Sequence, residues 1–330
     1  LKYEKGCPSG QPFLFGSDAG LPAALEQKKV LPRLRMAYAI PARLRFFRKP
    51  DFRSMRALTT LFLTFLFASG KAAEVDTLSI HSNAMNRTYK CVVVRPDSYK
   101  KSKEAYPAVY LLHGLGGRYS DWVRRTDLKK YADQYQVLVV CPDGAFSSWY
   151  FDSPVDSTMR FETYISREVP AYIEASYRTV RDRKGRAISG LSMGGHGGLF
   201  LGFRHAGFFG AAGSMSGALA IEYITAPQYQ VLKRLGDSTN KALYRQYSVF
   251  GEMERARKDS LAIIIDCGTE DFIVEMTRLA HKRMLELKIP HDYTERPGGH
   301  DWPYWNTAVQ YQLLYFRNYF DRNRITTEKK

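Results

Sequence analysis

The chain has 330 residues, 45% of them hydrophobic and 14% aromatic, which is enough for one large or two small folded domains and too much for a disordered chain. Its formal charge is +16, but residues 1–73 carry 13 Lys/Arg against 4 Asp/Glu and the remainder 36 against 29. More than half of the excess therefore lies outside the stretch that reads as folded, so no nucleic-acid partner is expected.

Residues 1–54 do not read as a folded unit. Pro and Gly recur in Cys7-Pro8-Ser9-Gly10-Gln11-Pro12, and a basic run over 33–53 is broken by Pro41 and Pro50. The stretch 55–73 opens on Met55-Arg56, continues as a short apolar run and ends in Ala72-Ala73, the anatomy of a secretory signal peptide. The apolar run is too short for a membrane span. The expectation is translation from Met55, with 1–54 a non-native or unstructured upstream extension. The mature domain, 74–330, would then be secreted or periplasmic and not membrane-bound. With Cys7 set aside, Cys91, Cys141 and Cys267 each lie beside an apolar run. An odd number without C-x-x-C fits buried free thiols, one disulfide plus a free thiol being the alternative.

From residue 74 the pattern alternates. Runs at 75–81 and 89–95 predict two early strands joined through 83–86. The almost wholly apolar run 108–112 predicts a central strand, 121–135 an amphipathic helix, and 137–141 a second central strand stopped by Pro142-Asp143-Gly144. Residues 161–177 predict a helix kinked at Pro170. Strands are expected at 210–214, 261–267 and 291–296, and helices at 199–204, 272–287 and 302–320. Buried strands separated by helices mean an α/β fold, a mostly parallel sheet covered on both faces. Residues 217–258 break the rhythm. They are polar and read as helical, and an insertion there is expected to form a small helical cap at the carboxyl edge of the sheet, where ligands bind in such folds.

The chemistry centres on Ala187-Ile188-Ser189-Gly190-Leu191-Ser192-Met193-Gly194-Gly195. A short apolar strand enters and a helical pattern leaves, with G-x-S-x-G between them. A serine at the apex of so sharp a strand-to-helix turn takes a strained backbone, so its neighbours two away must lack bulk. The turn also sets the Met193 N–H at a helix N-terminus, where positive potential favours an oxyanion. The stretch offers neither the G-x-G-x-x-G of a dinucleotide loop nor the Lys of a P-loop. Asp271 lies just past the strand 261–267, placed to accept from an imidazole, with Glu270 as its adjacent rival and Asp266 nearer the strand. His300, in Pro297-Gly298-Gly299-His300-Asp301-Trp302, is the histidine with both a loop setting and a downstream position. His205, His281 and His291 sit at or in helices and strands. The order Ser, Asp, His is the chain order of the α/β-hydrolase triad. A second oxyanion donor is expected after the first central strand, in Leu112-His113-Gly114-Leu115-Gly116-Gly117, most naturally the Leu115 N–H. His113 then orients the loop; it has no partner at metal-ligand spacing, so no metal or cofactor is expected.

These four motifs, spread over about residues 75–320, resemble the esterase D family of α/β-hydrolases, which includes S-formylglutathione hydrolases, tributyrin esterases and feruloyl esterases. The resemblance implies Ser192 as nucleophile, Asp271 as acid, His300 as base, and Leu115 and Met193 as oxyanion donors. Pro142-Asp143-Gly144 and Ser148-Trp149-Tyr150 also match the family near the acyl pocket. The reading that follows is a secreted serine carboxylesterase working through an acyl-enzyme on short-chain acyl or hydroxycinnamoyl esters, small or linked to polysaccharide. Trp149 or Trp302 would provide aromatic stacking. The alternatives are an S-formylglutathione hydrolase, which export disfavours, and a catalytically silent carbohydrate-binding protein on a hydrolase fold. The oligomeric state is not legible.

Overall fold

The structure is a computed structural model that describes residues 73–256 and 261–325. The extension 1–54 and the signal-peptide stretch 55–73, except for its last residue Ala73, lie outside the described residues. Strands β1 (Glu74–Ser82) and β2 (Arg87–Arg95) form an antiparallel hairpin in continuous register from Glu74↔Arg95 to Ser82↔Arg87. Strand β3 (Ala108–Leu112) is followed by two helices, α1 (Asp121–Arg125) and α2 (Leu128–Tyr135), and then by β4 (Leu138–Pro142). A single helix was expected over 121–135. It breaks at Thr126, which is extended (φ −136°, ψ 169°), because Asn306 accepts the Asp127 N–H and donates back to the Asp127 carboxylate. That tertiary bond has no local sequence signal.

After β4 comes a long loop, then a continuous helical run over 161–176 that ends in α3 (Val169–Ser176). The predicted distortion at Pro170 is present as a π-helical turn, Tyr164–Glu168, directly before it. Proline lacks the N–H for an i→i−4 bond and its ring crowds the carbonyl four residues back, so the turn widens. Strand β5 (Arg186–Gly190) feeds α4 (Met193–Arg204), followed by β6 (Ala211–Met215). Between β6 and the next strand, the inserted segment carries α5 (Lys241–Tyr247) and α6 (Val249–Arg255) among shorter turns. Strand β7 (Ala262–Gly268), α7 (Val274–Glu286), β8 (Asp292–Arg296) and α8 (Trp302–Arg322) complete the chain.

The eight strands lie in the order β1-β2-β4-β3-β5-β6-β7-β8. The hairpin joins antiparallel to β4, and every pairing from β4 to β8 is parallel. This is the expected α/β-hydrolase arrangement. On one face α1, α2 and α8 bury Trp122, Leu128, Val309, Leu313 and Phe316 against Val92, Val109, Val139 and Ala187. Helix α4 covers the other face, where Gly202 sits over Ile188 and Ala212. The three described cysteines are free and buried. Cys91 pairs across β2–β4 with Pro142, and Cys141 with Val92, so the two thiols project from opposite faces of the sheet and cannot bridge.

Candidate active site

Ser192 stands where β5 turns into α4. Its backbone has φ 54° and ψ −117°, a conformation that costs an L-residue about 1–3 kcal/mol. Backbone hydrogen bonds hold it there: the Ser192 N–H donates to Met215 O (3.0 Å), and the Gly194 N–H to Leu191 O (2.7 Å). The flanking glycines are demanded by crowding. A Cβ on Gly190 would lie 2.5 Å from Gly194 O, and one on Gly194 would lie 2.5 Å from Leu112 O and 2.6 Å from His113 O. The G-x-S-x-G spacing is therefore the footprint of β3, β5 and α4 meeting at one point.

His300 reaches the same point from the loop between β8 and α8. Its Nε2 lies 3.0 Å from Ser192 Oγ, and its Nδ1 lies 3.0 and 2.9 Å from the two Asp271 oxygens. A carboxylate only accepts, so the proton sits on Nδ1 and Nε2 is left to accept from the serine hydroxyl. Asp271 has no exposed side-chain surface. Burial pushes its carboxyl up, but donation from His300, the Ile273 N–H (3.1 Å) and the Ser216 hydroxyl outweighs this and holds it below the usual carboxylate range. The imidazole sits between two rings, Phe272 (centroids 4.6 Å apart) and Trp305 (5.0 Å). The structure thus brings Ser192, Asp271 and His300 together.

The rivals separate cleanly. Glu270 accepts the Gly298 N–H (3.0 Å) and donates its own N–H to Gly298 O (3.0 Å), tying the acid loop to the base loop. Asp266 is wholly buried beneath the site, held by Tyr304 (3.1 Å) and Gln312 (3.3 Å), and burial raises its carboxyl to about 6. His281 and His291 bond each other, and His205 meets Glu162.

The loop after β3 runs past Ser192, where a Cβ on Gly114 would lie 3.3 Å from Ser192 Cβ. His113 is buried and orders this loop. The Gly144 N–H donates to its Nε2 (2.8 Å), so its Nδ1–H donates to Gly114 O (2.8 Å), while Tyr150 OH donates to His113 O (2.9 Å). Leu115 lies inside the turn closed by the Gly117 N–H on Gly114 O (3.0 Å). Met193 is the first residue of α4, where a backbone N–H has no acceptor within the helix.

Of the two tryptophans expected to stack on substrate, Trp149 is enclosed and Trp302 is partly buried. Trp149 is buried, its N–H donating to Tyr229 O (2.8 Å) and its ring meeting His196 edge-on. With Ser147, whose hydroxyl donates to Gln230 (2.9 Å), and Arg234, whose guanidinium donates to Ser147 O (3.1 Å), it anchors the inserted segment to the loop after β4. Trp302 meets Trp122 and Trp305 edge-on and lies under the Arg125 guanidinium. The half-exposed rings bordering the site are Phe272, 49% exposed against His300, and Phe146, 58% exposed beside Gly116. Local sequence carries one clue to Phe272, its place directly after the acid; Phe146 has no clue of that kind.

The profile of the Esterase family matches residues 82–316, which span the sheet from the end of β1 to α8 and contain Ser192, Asp271 and His300. The chain belongs to that family. It is 32% identical over 237 residues to Esterase Rv1288 of Mycobacterium tuberculosis (strain ATCC 25618 / H37Rv), covering 63% of this chain and 51% of that protein. The chain therefore spans about half the length of the curated relatives it matches first. Among solved structures it resembles a ferulic acid esterase at 29% identity and a TM-score of 0.65, over 76% of this chain and 100% of the other. It shares the fold of an S-formylglutathione hydrolase from Agrobacterium tumefaciens (20% identity, TM-score 0.66, 75% and 96% covered).

Proposed function

We propose that this protein is a serine carboxylesterase that hydrolyses short-chain acyl or hydroxycinnamoyl esters through an acyl-enzyme. The observation that carries the reading is the unbroken line of hydrogen bonds from Asp271 through His300 to Ser192 Oγ, on a strained elbow. Ser192 attacks the ester carbonyl while His300 Nε2 takes its proton, and Asp271 stabilises the imidazolium. The tetrahedral oxyanion rests on the Leu115 and Met193 N–H groups. The intermediate collapses, His300 protonates the departing alcohol, and the acyl group stays on Ser192. Water, deprotonated by His300, then attacks the acyl-enzyme and releases the acid. A silent carbohydrate-binding protein would have no use for a strained serine or a tautomer-fixed histidine.

The 29% identity to a ferulic acid esterase across that whole chain supports the hydroxycinnamoyl class, and the pattern of 55–73 supports export, which disfavours glutathione thioesters. The test is a rate comparison of methyl ferulate, p-nitrophenyl acetate and butyrate, and S-formylglutathione on one preparation, together with Ser192→Ala. The variant is expected to stay folded and to lose roughly three to six orders of magnitude in kcat. Retention of more than about a tenth of the activity would remove Ser192 as nucleophile. Dominance of S-formylglutathione would replace the substrate class.

A further inference from the structure

Tyr150 is fully buried, and its hydroxyl donates to His113 O (2.9 Å). It and Trp149 before it both have positive φ, 62° and 55°, a region that bulky side chains avoid. Strain of that kind persists only where the surroundings over-determine it, and here they do. The Tyr150 N–H donates to Ser148 Oγ (3.1 Å), and the Trp149 indole N–H to Tyr229 O of the inserted segment (2.8 Å). Two glycines make room for the phenol. A Cβ on Gly144 would lie 2.5 Å from its oxygen, and one on Gly197 of α4 2.5 Å from its ring.

We infer that Tyr150 is a positioning residue of the oxyanion hole: through His113 O it fixes the loop that carries the Leu115 N–H. The inference rests on the esterase reading. The Leu115 N–H belongs to the peptide unit whose carbonyl is Gly114 O. That oxygen accepts from the Gly117 N–H (3.0 Å) and from His113 Nδ1–H (2.8 Å). The preceding peptide unit carries His113 O, which Tyr150 holds. Each peptide unit is planar, so with two successive planes pinned the Leu115 N–H has one direction. His113 O also lies against α4, since a Cβ on Gly194 would come within 2.6 Å of it. A shift of that carbonyl therefore changes the spacing between the Leu115 N–H and the second donor, at Met193. Donors aimed in advance stabilise the oxyanion because nothing has to reorganise as the charge develops. The motif Ser148-Trp149-Tyr150 then acts without any of its side chains meeting substrate. Ser148 and Trp149 hold the strained backbone, and Tyr150 holds the loop.

The test is Tyr150→Phe, which keeps the ring and removes the donor, followed beside wild type with p-nitrophenyl acetate. Rates are taken per competent site, counted by titration with a fluorophosphonate, so that any misfolded fraction drops out. The tetrahedral intermediates of acylation and deacylation place their oxyanions on the same two N–H groups. Both steps are therefore expected to slow by a similar factor, about ten- to a hundredfold. Affinity for a trifluoromethyl ketone, which adds to Ser192 as a tetrahedral adduct, is expected to fall by the same factor. The pH midpoint of acylation is expected to stay at the wild-type value, because the phenol acts on the loop and not on His300. Wild-type rates per competent site would show a merely structural tyrosine and overturn the inference. Slowing of one step alone, unchanged ketone affinity or a shifted pH midpoint would each overturn it as well. A wild-type protein that releases no p-nitrophenol would remove the esterase reading itself, and that result is seen before the variant is compared.

Discussion

Asp271→Asn tests the site most sharply, because it changes the pattern of donors without changing size. Asp271 presents both oxygens to His300 Nδ1, at 3.0 and 2.9 Å, and Oδ1 also accepts the Ile273 N–H at 3.1 Å. In the variant the single amide oxygen stays with the Ile273 N–H, and the amide NH2 takes the place of Oδ2. Two donors then face each other across about 3 Å, which the imidazole relieves by moving its proton to Nε2. That nitrogen now donates toward Ser192 Oγ and no longer accepts, so the base is lost although the atoms have hardly moved. A wrong tautomer of this kind costs about four orders of magnitude in kcat, or roughly 5.5 kcal/mol of barrier.

The same substitution has a stability signature of known sign. The carboxyl of Asp271 is depressed in the fold, so it contributes stability that is present above the unfolded value of about 3.9 and lost as pH falls through the folded one. The Asn variant should therefore melt somewhat below wild type at neutral pH, and the gap should close in acid. The assay is burst kinetics with p-nitrophenyl acetate beside thermal melts at several pH values. If the variant kept more than about a tenth of wild-type kcat, the carboxylate would not be setting the histidine tautomer and the argument would fail.

Other expectations are as specific. Gly194→Ala forces a Cβ against the Leu112 and His113 carbonyls, both backbone, and is expected to cost about 1–3 kcal/mol in denaturant titration and to cripple turnover with it. His113→Ala leaves the Gly144 N–H without its buried acceptor; it should destabilise by about 1–3 kcal/mol and slow turnover less than Ser192→Ala does. Asp266 is raised to about 6 by burial, so its protonated form favours the fold: the stability it contributes is present below its unfolded value and lost as pH rises through about 6. Asp266→Asn should lose less stability than wild type between about pH 4 and pH 7, and parallel melting curves for the two would refute this.

How much of the site could be read from the chain depends on how local its cause is. The elbow was legible because the crowding at Gly190 and Gly194 needs glycine at both places, and composition records it. The central strands β3 to β7 were legible within a residue or two because each is a buried run with turn residues on either side, whereas β1 and β8, half-exposed at the sheet edges, showed themselves by their place in the alternation. The break at Thr126 was not, since its cause is Asn306, 180 residues along the chain by number, and no window around 121–135 contains it. Trp149 failed for a related reason. Trp149 is an amphipathic ring on a loop beside the site, which is what a stacking residue looks like in sequence. Whether its face is free depends on the carbonyl of Tyr229, brought there by the inserted segment.

The three acids Asp266, Glu270 and Asp271 show the same division within six residues. By composition they are near equivalents, and each was a candidate. In the fold, Asp266 still belongs to β7, and its carboxyl is held under α8 by Tyr304 and Gln312. Glu270 lies past the strand end and bonds both backbone groups of Gly298, while the Thr269 N–H donates to Arg296 O (2.8 Å). These bonds make the acid loop and the base loop one piece, so Asp271 and His300 keep their spacing although 29 residues separate them in the chain. Asp271 is then the carboxylate left to face the imidazole. What looks like redundancy in the sequence is a division of labour: one acid under the sheet end, one joining the loops and one orienting the base, each set by the backbone that carries it.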